Sequence, residues 1–330
     1  MAALTYREAG RQAVTAEMRL DQSVWCLGED LGRGGVFGQY AGLEAEFGTD
    51  RICSAPISEA AIMGAAVGAA MAGARPIVEM RFADFALCAV DELVNQAAKA
   101  RYMFGGQSKV PLTVREPMGM WRSSAAQHSQ SLEAWYAHIP GLVVAAPATA
   151  QDNYTLLRSS IRIDDPVVYM EHKHLWDFEG EVDEGAADFE YGPEQFGKAH
   201  VMQEGDACTI VAWSAQVHVA MEAAKTLAAD GVHVEVINLR TLWPWDEAAV
   251  AQSIAKTGRL IVTHEAVGVG GFGGEIVATM AEKHFDKLQR PPMRLTAPRI
   301  PISYAPDLEN QVRVTAEQLV AGVMQLRYPL

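Results

Sequence analysis

Glu59 is the only charged residue between Arg51 and Arg75. It stands near the start of a run of Ala, Gly and small aliphatics, Ile57-Ser58-Glu59-Ala60-Ala61-Ile62-Met63-Gly64-Ala65-Ala66-Val67-Gly68. A carboxylate in a first helical turn gains roughly 0.3–1 kcal/mol from the unpaired N–H groups and the macrodipole, and Pro56 just before it suits a helix start. The turns that follow are so apolar that both helix faces are expected to be buried. An acid sharing that burial has a raised pKa unless a partner stabilises it. Glu59 is therefore either a helix-start charge or a tool for moving protons. Gly64 and Gly68, four apart, let a second helix approach closely, so this helix is expected in an interface.

Two glycine-rich stretches raise the question of phosphate binding. Gly32-Arg33-Gly34-Gly35-Val36-Phe37-Gly38 lacks the Gly-Lys-Ser/Thr ending of a P-loop and reads as a loop. Gly268-Val269-Gly270-Gly271-Phe272-Gly273 follows a strand pattern and opens a helix, as a dinucleotide fingerprint does. Glu282 and Asp286 come too early for the ribose-binding acid, however, and the motif lies late in the chain, which disfavours nicotinamide or flavin.

The frame that positions these residues alternates helical and strand patterns over the first 175 residues, as a parallel sheet covered on both faces requires. Helices are expected over Thr5–Asp21, Asp91–Tyr102 and Tyr154–Ile163. Strands are expected over Val24–Gly28, Arg75–Met80, Val110–Val114, Leu142–Ala146 and Pro166–Met170. The stretch Asp177 to Glu194 holds eight acids and four Gly or Pro residues and breaks this rhythm. It divides the chain into a first domain, 1–176, a linker, 177–198, and a smaller α/β domain, 199–330. Strands at Ala207–Ala212, Val232–Ile237 and Arg259–Thr263, with a helix over Val217–Asp230, build that second domain, and a helix from Thr315 closes it.

At 330 residues the chain fits two domains of ordinary size. A net charge of −14, with no Lys/Arg-dense block to offset it, argues against a sequence-independent nucleic-acid binder. Cys26, Cys53, Cys88 and Cys208 form no close pair and read as small buried hydrophobes in a reducing compartment. The N-terminus lacks the apolar core of a signal peptide, and the run Ala60 to Ala74 falls short of the ~20 residues needed to span a bilayer. A cytoplasmic protein with no membrane segment is expected, with proteins or small molecules as partners.

Ala55-Pro56-Ile57-Ser58-Glu59, Gln127-His128-Ser129-Gln130 and Asn238-Leu239-Arg240-Thr241-Leu242-Trp243-Pro244 carry a family resemblance. With them, in order, stand Gly73-Ala74-Arg75-Pro76, Asn95-Gln96-Ala97-Ala98-Lys99, Tyr102-Met103-Phe104-Gly105-Gly106 and His138-Ile139-Pro140-Gly141-Leu142. Over nearly its whole length the chain resembles the beta subunit of the thiamine diphosphate-dependent first component of 2-oxo acid dehydrogenase complexes. That group holds pyruvate, branched-chain 2-oxo acid and acetoin dehydrogenases. The resemblance implies an α/β fold: a transketolase-like pyrimidine-binding domain with a parallel sheet, followed by a smaller transketolase C-terminal domain. It also implies an α2β2 heterotetramer with the active site shared with an alpha subunit, and acyl transfer to a lipoyl-bearing dihydrolipoyl acyltransferase.

The same resemblance implies roles for individual residues. Glu59 would hydrogen-bond the cofactor's aminopyrimidine and favour the imino tautomer that deprotonates the thiazolium carbon. Phe85 would stack on the pyrimidine and Ile57 would line its pocket, whereas apart from the motif Phe85 reads as a core aromatic. His128 would position substrate and handle protons near its carbonyl, for which a group titrating near neutrality is suited. Glu29 belongs to an acidic passage between paired sites, or is simply the end of a strand. Main-chain oxygens of Leu112, Ser160, Ile161, Ile163 and Asp165 would hold a structural K⁺. The chain has no Gly-Asp-Gly, so the diphosphate and its Mg²⁺ are expected on the alpha subunit.

Departures bear on the substrate. Glu171-His172-Lys173-His174-Leu175-Trp176-Asp177 and the Tyr102 to Gly106 block look closest to acetoin and pyruvate members. His264-Glu265-Ala266 with Gly271-Phe272-Gly273 looks like the branched-chain type. Arg81 stands where family members carry Met or Gln. Met118-Gly119-Met120-Trp121 puts bulky groups shortly before His128, and these are expected to narrow or recharge the substrate entrance. An acyloin-forming transferase that never meets a lipoyl domain is the rival enzyme reading. A silent assembly scaffold is the rival outside catalysis, and it would not need Glu59, Phe85 and His128 together.

Overall fold

The computed structural model describes residues 2–185 and 192–328. The chain divides into two compact units. Met1–Met118 with Trp135–Phe196 form the first, and Gly119–Ala134 with Gly197–Leu330 form the second.

In the first unit β1 (Ala2–Thr5) leads into a helix, Tyr6–Leu20. Strands β2 (Val24–Glu29), β3 (Ile52–Ala55), β4 (Arg75–Glu79), β5 (Thr113–Arg115), β6 (Val143–Ala145) and β7 (Val167–Tyr169) lie side by side in the order β6-β7-β5-β4-β2-β3. Every one of those pairings is parallel. The runs Val-Val-Ala and Val-Val-Tyr are apolar on both faces because helices cover both. The expected strand at Val110 starts later, at Thr113, because Pro111 has no N–H to give a ladder. Within the stretch expected as a linker, β8 (Glu179–Val182) pairs antiparallel with β1, Ala2 facing Val182. Residues 186–191 of that stretch lie outside the described residues.

Helix starts follow a local rule. Thr5, Thr149 and Thr315 each cap a helix: the hydroxyl accepts from the N–H three residues on, and the threonine N–H donates back to the side chain of Glu8, Asp152 or Gln318. Such caps contribute about 1 kcal/mol each. Tyr6–Leu20 packs on Ala150–Arg162, with Ala9, Ala13, Val14 and Met18 facing Leu156, Leu157 and Ile161 in one core. The helix expected at Asp91–Tyr102 is a π turn over Asp91–Ala97 followed by α-helix over Ala98–Met103.

The second unit holds β9 (His200–Gln203), β10 (Thr209–Ala212), β11 (Glu235–Asn238), β12 (Thr241–Trp243), β13 (Leu260–Val267) and β14 (Met293–Ala297). Its five-stranded sheet runs β14-β13-β10-β11-β9, parallel except where β9 meets β11. Helices Ala215–Ala229, Glu247–Thr257, Phe272–Lys283 and Ala316–Arg327 complete it. No helix among the described residues is long and apolar enough to cross a membrane.

Candidate active site

Glu59 opens the helix Glu59–Met71, which follows β3. Ser58, at the cap position, spends its hydroxyl on the carbonyl of Ile57 and gives the helix no side-chain cap. Glu59 thus stands in the first turn of a helix that receives no side-chain cap from Ser58. It is half-buried, and among the described residues no cation pairs with it. Ile57, two residues earlier, is 74% exposed. The helix buries Ile62, Met63, Ala66, Val67 and Ala70, while Ala61, Ala65, Gly68 and Met71 face outward. The expectation that both faces are buried therefore fails within the single chain. Its physical reason is that the sheet covers one face of a helix, and the other needs a second body.

Phe85 sits on the short helix Ala83–Ala86 beyond β4, half-buried. Its ring meets Phe82 edge-on at 5.2 Å, and Phe82 in turn meets Phe37 edge-on at 5.6 Å. Phe37 lies 4.3 Å from Trp176, and the Lys173 ammonium is 4.6 Å above the Phe82 ring. The loop Gly32–Gly38 supplies Phe37 to this aromatic row. Its carbonyl at Phe37 accepts from Arg7, and Gly34, Gly35 and Gly38 take the positive φ that the turn requires.

Several polar pairings of the first unit were not evident in the sequence. Arg81 adopts φ 52°, a strained value for a residue with a side chain, and donates to Glu29 Oε2 at 2.9 Å with Asp30 at 3.7 Å. Glu29, the last residue of β2, is thus the anchor of that arginine. Arg115, wholly buried at the end of β5, forks onto Glu171 at 2.8 and 2.9 Å. Its guanidinium lies 5.1 Å over Tyr40, whose hydroxyl donates to Glu79 at 3.0 Å. Burial pushes the Glu79 carboxyl up to about 7, against the pull of Arg115. Glu116 is also wholly buried, and burial holds its carboxyl well above the usual range.

The residues expected around a potassium ion gather at the C-terminal end of helix Ala150–Arg162. Arg75 Nη1 donates to the carbonyls of Ile161 at 3.1 Å and Ile163 at 3.0 Å, and Leu112 O accepts from Val167 N. Arg101 binds the Asp165 side chain. A guanidinium is therefore already on two of these carbonyls, each of which keeps a second lone pair.

His128 belongs to the second unit, on the loop Gly119–Ala134. Arg122, Ser123 and Ala125 hold φ of 46°, 57° and 60° there, so the loop keeps its shape against backbone preference. Gly119 N donates to Gln130 O at 3.1 Å and closes it. The Arg122 guanidinium lies 4.7 Å over the Trp121 ring, and Trp121 and His128 are both half-buried. Met120 N donates to Glu265 Oε1, and Trp213 Nε1 donates to Glu133 Oε1 at 3.1 Å.

The second glycine-rich stretch serves packing. A Cβ on Gly271 or Gly273 would lie 2.6 to 2.8 Å from the His264 ring, which stacks on Trp213 at 5.0 Å. Only glycine lets the start of helix Phe272–Lys283 come this close. Burial pushes the His264 imidazole down to about 4. The unfolded chain takes up a proton near pH 6.5 and the folded one does not until about pH 4. Stability is therefore lost as pH falls through that window, by on the order of 3 kcal/mol in total. Urea titrations from pH 7 to pH 4 are expected to show a shallower decline for His264→Gln than for the native chain. An equal slope would rule out a buried neutral His264.

The sequence matches the models of two domain families, "Transketolase, pyrimidine binding domain" over residues 2–177 and "Transketolase, C-terminal domain" over 197–319. It is 41% identical to the acetoin:2,6-dichlorophenolindophenol oxidoreductase subunit beta of Cupriavidus necator, over 97% of this chain and 96% of that protein. It is 40% identical to the pyruvate dehydrogenase E1 component subunit beta of Rickettsia bellii, over 98% and 99%. The 2-oxoisovalerate dehydrogenase subunit beta of Bacillus subtilis is 39% identical, over 99% of both. A solved structure described as a split-gene transketolase in an inactive beta4 tetramer has the same fold, with a TM-score of 0.79 over 99% of each chain at 22% identity. Matched end to end by such relatives and by both domain models, the chain belongs to the family of beta subunits of the thiamine diphosphate-dependent first component of 2-oxo acid dehydrogenase complexes.

Proposed function

We propose that this chain works as the beta subunit of an α2β2 thiamine diphosphate-dependent dehydrogenase of the acetoin or pyruvate type. In this reading it cleaves its substrate with an alpha partner and hands the acyl group to the lipoyl domain of an acyltransferase, in the cytoplasm. The observation that carries the reading is Glu59: a half-buried carboxylate at a helix start, with no cation paired to it among the described residues and with exposed Ile57 beside it. A carboxyl so placed fits a ligand arriving from outside the chain. The donor set suits an aminopyrimidine, since Glu59 offers a hydrogen bond to a ring nitrogen, and Ile57 and Phe85 offer apolar faces.

When bound, the cofactor's thiazolium supplies the electron sink for cleavage beside a carbonyl. Glu59 holds a proton at a carboxyl oxygen and sets the protonation of the ring nitrogen it meets. His128 orients the substrate and moves a proton at an imidazole nitrogen. Mg²⁺ and the diphosphate fall to the alpha subunit. A K⁺ at the carbonyls of Leu112, Ser160, Ile161, Ile163 and Asp165 would share those of Ile161 and Ile163 with Arg75. The outward stripe Ala61, Ala65, Gly68 and Met71, bare of charge, suits a partner helix at close approach.

The test is co-expression with an alpha subunit of the same family, followed by dichlorophenolindophenol reduction with cofactor, Mg²⁺ and acetoin, pyruvate or branched-chain 2-oxo acids. Reduction with acetoin or pyruvate supports the proposal. Preference for branched-chain acids moves it to the 2-oxoisovalerate type. A cofactor-binding heterotetramer that reduces no dye with any of them, and joins aldehydes instead, points to an acyloin-forming enzyme.

A further inference from the structure

The loop Gly119–Ala134 cannot hold its own shape by local preference. Three residues in it, Arg122, Ser123 and Ala125, sit in the left-handed region without being glycine, each at a cost of about 1–3 kcal/mol that surrounding contacts must offset. Inside the loop Gly119 N donates to Gln130 O and Ser124 N to Trp121 O; Met118 just before it donates to Glu171 O and accepts from Lys173 N, and the short helix Glu133–Ala137 begins at its end.

Two further, side-chain anchors come from the carboxyl end of the parallel sheet in the second unit. At the loop's start, Met120 N donates to Glu265 Oε1 at 2.5 Å. The Glu265 side chain is 8% exposed, and Arg313 stands 3.6 Å from its other oxygen while also binding Glu309. At the loop's end, Glu133 is buried and accepts from Trp213 Nε1 at 3.1 Å. Trp213 follows β10 directly, and its indole stacks on His264 at 5.0 Å with the planes 18° apart. His264 and Glu265 are neighbours on β13. Two consecutive residues of one strand thus reach the two ends of one loop, Glu265 directly and His264 through Trp213. Beyond Trp213 the chain turns at Ser214 with φ 53°, a further strained position that fixes the indole's departure from the sheet.

We infer that Glu265 and Trp213 are positioning residues that hold the His128 loop in its working shape, with His264 and Arg313 orienting them. The inference rests on the reading of His128 as a substrate-positioning residue. It assigns to the C-terminal domain a part in the reaction that it serves without supplying an acid or base. Loss of either anchor lets the strained residues relax and moves His128, and misplacement of a reacting group by about 1 Å is enough to cost on the order of a hundred-fold in rate.

The experiment uses the assembled heterotetramer and compares Glu265→Ala, Glu265→Gln and Trp213→Phe by amide hydrogen exchange and by steady-state kinetics. Gln keeps an oxygen for Met120 N, and Phe keeps a ring against His264 but has no N–H for Glu133. Glu265→Ala and Trp213→Phe are expected to speed exchange across residues 119–134 by at least about ten-fold and to lower kcat by roughly ten- to a hundred-fold, with exchange at Glu59–Met71 unchanged. Glu265→Gln is expected to restore most of both. Should Glu265→Ala fail to assemble, the other two variants still decide. Native exchange over 119–134 in Trp213→Phe, or a Gln variant as damaged as Ala, would overturn the inference. His128→Ala separates the two readings. Native turnover in that variant removes the role given to His128, while the clamp is judged by exchange alone.

Discussion

Glu59→Gln in the assembled heterotetramer is expected to lower turnover about a thousand-fold, the middle of the range for losing a positioned proton donor. Assembly and the thermal midpoint should hardly change. The amide copies the carboxyl's shape and keeps one acceptor oxygen, but it cannot carry an exchangeable acid proton at that position. Stability should survive because Glu59 makes no ion pair among the described residues, so no buried cation is left behind. What the helix start loses is the favourable charge at its first turn, roughly 0.3–1 kcal/mol. A purely structural Glu59 predicts the opposite pattern, a small stability change with turnover intact. Residual turnover above a tenth of native, in a tetramer that still binds cofactor, would return Glu59 to the helix-start reading.

That residue shows how far the sequence could be read. Local patterns carried the elements: alternating helical and strand patterns, buried Val-Val runs, and a helix without charge after Glu59. Glu59 stood out because one charge in an apolar field is visible in one dimension. Arg115, Glu171 and Glu79 did not, because their meaning lies in pairing across 56 and 36 residues of chain, which no period of 2 or 3.6 encodes. The Met120–Glu265 bond spans 145 residues and was equally invisible. The same holds for the departure of Gly119–Ala134 from the first unit to fold with the second. A signal did exist there: bulky residues and charges in a stretch with no strand or helix period mark a loop held by contacts from elsewhere. Arg81 is unusual in the sequence and Glu29 suits either an acidic passage or a strand end, but 52 residues of chain separate the two and no local pattern joins them in an ion pair.

The largest stability effect is expected from Arg115→Met, which should destabilise the first unit by about 3–5 kcal/mol near neutral pH, the loss typical of a buried ion pair stripped of one partner. The guanidinium is wholly buried, forks onto Glu171 and lies 3.9 Å from Glu79. Methionine fills much of the volume, so the penalty comes from two carboxylates left in a dry site, not from a cavity. Asn153 still donates to Glu171 and Tyr40 to Glu79, which softens but does not cancel it. The sign with pH follows from Glu79. Its folded pKa of about 7 already exceeds its ordinary value near 4.5, so this group lowers stability as pH rises between them. Removing Arg115 takes away the charge that pulls that pKa down and extends the window upward. The deficit of Arg115→Met should therefore be smaller at pH 5 than at pH 8. Adding Glu171→Met should recover part of it, because a matched pair of apolar side chains leaves one fewer buried charge. Urea denaturation of the single and double variants at both pH values measures all of this. A deficit that does not grow with pH would mean that Glu79 keeps its charge without Arg115, with Tyr40 and the backbone around Arg81 holding it.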